Sequence, residues 1–258
     1  MNTQSAALLL MISGPALADV HCRTGSEPIP DNGQTPAIWT LDVTADGIVT
    51  NAALSVMVAH EWVGDLRFEL IAPDGMVVKL LDRPGLPDSS WIGPWGCGGD
   101  DIQARFTDAA GTPAETMCSL AGIPVISGDV LPAEPLTALV GHPAQGTWTF
   151  RIYDDSPVDA GRLENICLDL QTAADCNGNG VPDPNDISSG TSADLDSNGI
   201  PDECECPSDA TGDNRIDIQD ILLILADFGQ SGSPGDIDGN GIVDITDLLS
   251  VLRDWDTC

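Results

Sequence analysis

Along the first two thirds of the chain, apolar residues recur at every second position. Leu54, Val56, Val58 and His60 fall on one face of an extended segment, and Leu66, Phe68 and Leu70 on one face of the next. A period of two marks a half-buried strand. Gly64-Asp65 predicts a turn between them, and Pro73-Asp74-Gly75 predicts another before a strand over Met76–Leu81. Trp148, Phe150 and Ile152 repeat the alternation, Asp154-Asp155-Ser156-Pro157 turns the chain, and Leu163–Leu170 closes the set. Many short strands separated by turns predict a mainly β fold, an antiparallel β-sandwich.

The pattern changes after residue 172. Residues 175–205 are nearly all Asp, Asn, Gly, Pro and Ser. Beyond them, acidic loops alternate with apolar runs at helical spacing: Ile221, Leu222, Ile224 and Leu225, then Leu248, Leu249, Val251 and Leu252. These predict two short amphipathic helices packed together.

Charge sharpens this division. The chain has 258 residues, with 41 acids against nine bases and a formal net charge of -32. Nucleic acid and anionic membrane are repelled by such a surface. Residues 173–258 hold 19 of the acids and two of the bases. Fifteen of those 19 stand at ligand positions of twelve-residue EF-hand loops, a spacing that a solubilising acidic linker would not require. Such a loop supplies side-chain oxygens from positions 1, 3, 5, 9 and 12, a carbonyl from position 7, and a turn glycine at position 6.

Four stretches fit this pattern, and the ion they imply is Ca²⁺. The first offers Asp175, Asn177, Asn179, the Val181 carbonyl, Asp183 and Asp186, with Gly180 at the turn. The second, 19 residues on, offers Asp194, Asp196, Asn198, the Ile200 carbonyl, Asp202 and Glu205, with Gly199 at the turn. Neither is followed by an apolar stripe, so no helix is expected after them. The third offers Asp209, Thr211, Asp213, the Arg215 carbonyl, Asp217 and Asp220; Asn214 replaces the glycine and Thr211 is a poorer ligand than a carboxylate. The fourth offers Asp236, Asp238, Asn240, the Ile242 carbonyl, Asp244 and Asp247, with Gly241 at the turn.

Three family resemblances follow from these residues. Ile29-Pro30-Asp31, His60-Glu61-Trp62-Val63-Gly64-Asp65-Leu66, Leu70-Ile71-Ala72-Pro73-Asp74-Gly75, Phe106-Thr107-Asp108, Gly146 to Ile152 and Asp159 to Leu163 together resemble a P/Homo B domain. That resemblance implies a jelly-roll sandwich that supports a protease catalytic domain. The first two loops resemble thrombospondin type 3 calcium repeats, in which metal substitutes for a hydrophobic core. The duplicated loop-helix unit, repeating after 27 residues, resembles a type I dockerin and implies a cohesin-like or cell-surface protein partner. Its positions 10 and 11, Ile218-Gln219 and Ile245-Thr246, differ from the small polar pairs common in cellulosomal dockerins.

The remaining signals concern export and chemistry. Ala6–Ile12 is apolar, Gly14-Pro15 breaks the run and Ala16-Leu17-Ala18 is a small-x-small cleavage site, so residues 1–18 read as a signal peptide. Eight cysteines suit an oxidising compartment, and no stretch is long and apolar enough for a membrane span. Cys22–Cys167, Cys97–Cys118, Cys176–Cys204 and Cys206–Cys258 form one pairing among 105. His60-Glu61 begins a zinc motif whose second histidine is replaced by Gly64, and no phosphate loop or nucleophile elbow occurs. Catalytic and cofactor-binding residues are therefore not assigned. The expected layout is a signal peptide at 1–18, a sandwich at 19–172, calcium loops at 173–205 and a dockerin-like EF-hand pair at 206–258. The expected function is a secreted or cell-surface calcium-binding protein for adhesion or docking. Two alternatives stand beside it: an accessory subunit with an exported serine protease as partner, and a secreted hydrolase with an unrecognised site.

Overall fold

The computed structural model describes residues 18–31, 33–85, 96–118, 122–194, 197–201, 204–213 and 215–255. The chain separates into two compact units, residues 1–175 and 176–258. The protein is mainly β, with two sheets in the first unit and three short helices in the second.

Among the described residues the first unit contains nine strands: β1 (Ala18–Ile29), β2 (Ala37–Val43), β3 (Ile48–His60), β4 (Leu66–Ile71), β5 (Val77–Asp82), β6 (Ile102–Phe106), β7 (Ile126–Val130), β8 (Gly146–Asp154) and β9 (Gly161–Ala173). One sheet has the order β1-β9-β3-β6-β7 and the other β2-β8-β4-β5. The alternation in sequence becomes an alternation in burial. Leu66, Phe68 and Leu70 of β4 and Trp148, Phe150 and Ile152 of β8 are all buried, while their odd partners stay half-exposed. The two sheets meet through edge-to-face rings, with Phe68 lying 6.2 Å from Phe106 of the other sheet and 5.6 Å from Phe150 of its own.

Two features depart from the expected antiparallel sandwich. Strands β6 and β7 pair in parallel, Ile102 opposite Ile126 through Phe106 opposite Val130. A parallel pair needs a crossover rather than a hairpin; here residues 107–125 form it, tied down by the Cys97–Cys118 disulfide. The twelve-residue β1 was not anticipated by alternation, because Arg23, Thr24, Gly25 and Ser26 interrupt it. It is held by pairing with β9, with Cys22 directly opposite Cys167 in a disulfide. The expected leader lies outside the described residues apart from Ala18, the first residue of β1.

The second unit carries α1 (Asp183–Ser189), α2 (Ile218–Asp227) and α3 (Ile245–Arg253). Helix α1 corrects the expectation that no helix follows the first loop. It starts after Pro182 and stops at Gly190, whose φ of 77° closes the C-terminus. Ala210, Ile216, Ile224, Val243 and Val251 make a small core. The apolar stripes are only partly used: Ile224 and Val251 are fully buried, whereas Leu222, Leu225, Leu249 and Leu252 are more than half exposed. The Cys176–Cys204 disulfide joins the first loop to the second. Cys206 is also disulfide-bonded, and its expected partner Cys258 lies outside the described residues.

Candidate metal centre

The fourth loop brings its carboxylates together. Asp236, Asp238 and Asp247 have oxygens within 4.8 Å of one another. Backbone donors set their positions. The Gly241 amide donates to Asp236 Oδ2 at 2.9 Å, and Gly241 has a φ of 94°, which is why glycine stands there. The amides of Asp238 and Asp244 donate to the two oxygens of Asp247 at 3.1 and 2.8 Å. Asp247 is fully buried. Burial pushes its carboxyl up, but backbone donors at Asp244, Asp238 and Ile237 outweigh that and leave the pKa lowered. One oxygen, Asp236 Oδ1, is buried without a hydrogen-bond partner. An orphaned buried carboxylate oxygen beside two further carboxylates is a donor set that fits a hard cation such as Ca²⁺.

The other loops share the turn, but among the described residues none of them gathers three carboxylates as the fourth does. In all four, the amide of position 7 donates to the side-chain oxygen of position 5: Val181 to Asn179, Ile200 to Asn198, Arg215 to Asp213 and Ile242 to Asn240, at 2.7, 2.8, 3.0 and 3.0 Å. In the first loop Asn179 Nδ2 donates to Asp186 at 2.8 Å, and Asn198 Nδ2 makes the equivalent bond to Glu205 in the second. In the third, the Thr211 hydroxyl lies 3.1 Å from Asp209 and 3.0 Å from Asp220, standing where a carboxylate would face an ion. Among the described residues, Asp175, Asp183 and Asp186 do not form a carboxylate group as tight as that of the fourth loop, nor do Asp209, Asp213, Asp217 and Asp220. Asp194 accepts from the amides of Asn198 and Gly199 at 3.1 Å each, whereas Asp196, Asp202 and Asn214 lie outside the described residues. Asn177 accepts from the Asn179 amide at 3.1 Å, so it too is engaged within its own loop.

A second role for positions 9 and 12 went unread in the sequence. Asp217 and Asp244 are the N-caps of α2 and α3, and Asp220 and Asp247 complete capping boxes by accepting the N-cap amides. The pattern Asp-x-x-Asp before an apolar run carried this signal.

The histidine of the incomplete zinc motif, and two acids near it in sequence or fold, resolve into structural bonds. His60 is buried, and its Nε2 lies 3.1 Å from Asp154, also buried. Its Nδ1 accepts from the Trp62 amide at 3.0 Å, which fixes the proton of the neutral ring on Nε2. Asp101 accepts from the His60 amide at 3.0 Å. Asp108 caps the 3-10 turn at Leu136–Leu139, accepting from the amides of Leu136 and Thr137. Cys176, Asp183 and Cys204 also cluster, but the two sulfurs are joined in a disulfide and hold no thiolate for a soft metal.

The second unit exposes a duplicated apolar patch. Ile218, Leu222, Leu225 and Phe228 of the first repeat and Ile245, Leu249, Leu252 and Trp255 of the second occupy equivalent positions, each at least 42% exposed. No helix among the described residues is long and apolar enough to cross a membrane.

The first unit also has partial matches among known proteins. A calcium-dependent protease of Nostoc sp. is 23% identical over 173 residues, which is 66% of this chain and 21% of that protein. One from Trichormus variabilis is 24% identical over the same length. This chain thus spans about a fifth of the curated relatives it matches. The serine protease of Aeromonas sobria, solved with its chaperone, is 16% identical over 62% of this chain and 28% of that one, with a TM-score of 0.39. Residues 49–170, from β3 into β9, match the family model of the proprotein convertase P-domain.

Proposed function

We propose that this chain is an exported, calcium-binding, non-catalytic protein in which a jelly-roll P-domain is joined to a metal-folded acidic unit used for docking. The observation that carries the reading is the buried, unpaired Asp236 Oδ1 beside Asp238 and Asp247. The shared turn in all four loops supports Ca²⁺ as the ligand of each, with the fourth loop best prepared. The relatives are named calcium-dependent proteases, which agrees with a cation but bears on whole proteins of which the matched segment is about a fifth. Three disulfides among the described residues suit an extracellular or cell-surface location. The division of the acidic unit into thrombospondin-like loops at 173–205 and a dockerin-like pair at 206–258 belongs to this proposal, as does removal of residues 1–18.

A second reading is favoured by the P-domain match: the chain serves as an accessory, stabilising subunit of an exported serine protease. Calorimetric titration with Ca²⁺, with bound ions counted by mass, tests the metal claim. Saturable binding that falls by one ion in Asp236→Asn supports it; no binding to the intact chain refutes it. Pull-down from secreted material separates the two roles. A serine protease recovered as the partner favours the second, and a cohesin-like wall protein favours the first.

A further inference from the structure

Next to the buried His60–Asp154 pair, the sandwich has an open cavity of about 240 Å³ lined, among the described residues, by Trp62, Asp65, Ser156, Pro157 and Asp159. Its composition is uneven. Trp62 and Pro157 give apolar walls, while Asp65 and Asp159 give two carboxylates and no base lines it. Asp65 is only 3% exposed.

The walls are held in place. The indole of Trp62 lies against the backbone of Gly98, where a Cβ would come within 2.6 Å of its ring. The turn carrying Ser156, Pro157 and Asp159 is pinned by two carboxylates. Asp154 accepts from the Ser156 amide at 3.3 Å, and Asp31 accepts from the Val158 amide at 2.9 Å. Val158, between two lining residues, has a φ of 107° and is 86% exposed. A β-branched residue at that φ is strained, and an apolar side chain at that exposure gains little from burial.

Burial pushes the Asp65 carboxyl above its usual range; the Ser156 hydroxyl opposes this, Asp154 adds to it, and Arg83 and His60 act against it. Its charge is therefore under-compensated. A cation entering the cavity would relieve that. The apolar walls disfavour a hydrated ion and suit a charge on an aliphatic stem, with the stem against Trp62 and Pro157 and the head at the carboxylates.

We propose that this cavity receives the side chain of an arginine or lysine from a partner polypeptide. The site is independent of the acidic loops and does not rest on their binding calcium.

The test is a titration of the intact, calcium-saturated chain with N-acetyl-arginine amide and N-acetyl-lysine amide. N-acetyl-norleucine amide serves as the uncharged control. Binding is followed by NMR at the indole N–H of Trp62, assigned with Trp62→Phe. A saturable shift with the two cations and none with norleucine supports the proposal. Asp159→Asn should weaken binding by up to about fivefold, as for loss of one partly exposed ion pair, and added salt should weaken it further. Asp65→Asn should abolish it if the variant folds; Asp159→Asn keeps the test decisive if it does not. An equal shift with norleucine, no shift with either cation, or a Trp62 shift produced by Ca²⁺ in the metal-free chain and not by arginine overturns the proposal.

Discussion

Val158 and Gly161 show opposite uses of one short stretch of chain. Val158 holds a φ of 107° with its side chain in solvent, so it costs stability and contributes little packing. Val158→Gly should stabilise the sandwich by about 1 kcal/mol, read as a higher urea midpoint. Gly161 is required by close approach: a Cβ there would lie 2.2 Å from His60 Cδ2 and 2.7 Å from the Ala59 carbonyl. Gly161→Ala should therefore destabilise by about 1–3 kcal/mol, since neither backbone nor the His60 ring can give way without disturbing the His60–Asp154 bond. Equilibrium unfolding of the two variants side by side checks both signs. The zinc-like His60-Glu61 pair was legible only as letters. That His60 faces Asp154, 94 residues away, follows from β3 ending beside the end of β8.

At the scale of elements, the acidic loops serve two purposes with the same side chains. Asp244 is a loop position and also the N-cap of α3, accepting from the Thr246 amide at 2.7 Å. Asp244→Ala should cost about 1 kcal/mol of helix stability even without Ca²⁺. Asp236→Asn leaves the cap intact, so its cost should appear only when Ca²⁺ is present. Circular dichroism melts of both variants, each with Ca²⁺ and with chelator, distinguish capping from coordination. Loop spacing and turn glycines were readable directly, because twelve-residue periodicity is a local property. Helix α1 was not, because its sequence offers one apolar residue at most and its ends are set by Pro182 and Gly190. The exposed halves of α2 and α3 were also unreadable: periodicity locates a stripe but does not say whether a second layer covers it.

The two units should respond oppositely to chelation and to acid. The sandwich has an extensive apolar core between its sheets, whereas five buried residues make the core of the second unit. EDTA should lower the melting temperature of residues 176–258 and leave the sandwich transition in place, as resolved by calorimetry of the intact chain. In the sandwich, burial raises the pKa of Asp65 and of Glu115. A carboxyl raised in the fold binds its proton more tightly folded than unfolded, so these groups favour folding at low pH and lose that contribution as pH rises through the raised values. In the second unit, Arg253 and the Ser208 hydroxyl hold Asp254 down from 3.8 to about 2, despite opposing burial. Its contribution is present above its ordinary value and is lost as pH falls towards 2. Acid should therefore unfold the second unit before the sandwich, which a pH series of melts followed separately at each transition would show.

Sequence alone determined the features set by neighbours along the chain. The period-two strands, the break in composition after residue 172, the four loops and their 19- and 27-residue spacings are all of this kind. Strand faces follow because a pleated chain sends alternate side chains to opposite sides whatever it pairs with. Only the tertiary structure decided which strands are neighbours, why β6 and β7 run parallel, and which cysteines meet. It also decided that Asp236, Asp238 and Asp247 converge, with one Asp236 oxygen buried and left without a hydrogen-bond partner. The cavity beside Trp62 has no linear signature at all. Its walls come from positions about 95 residues apart, and only the pairing of β4 with β8 brings them together.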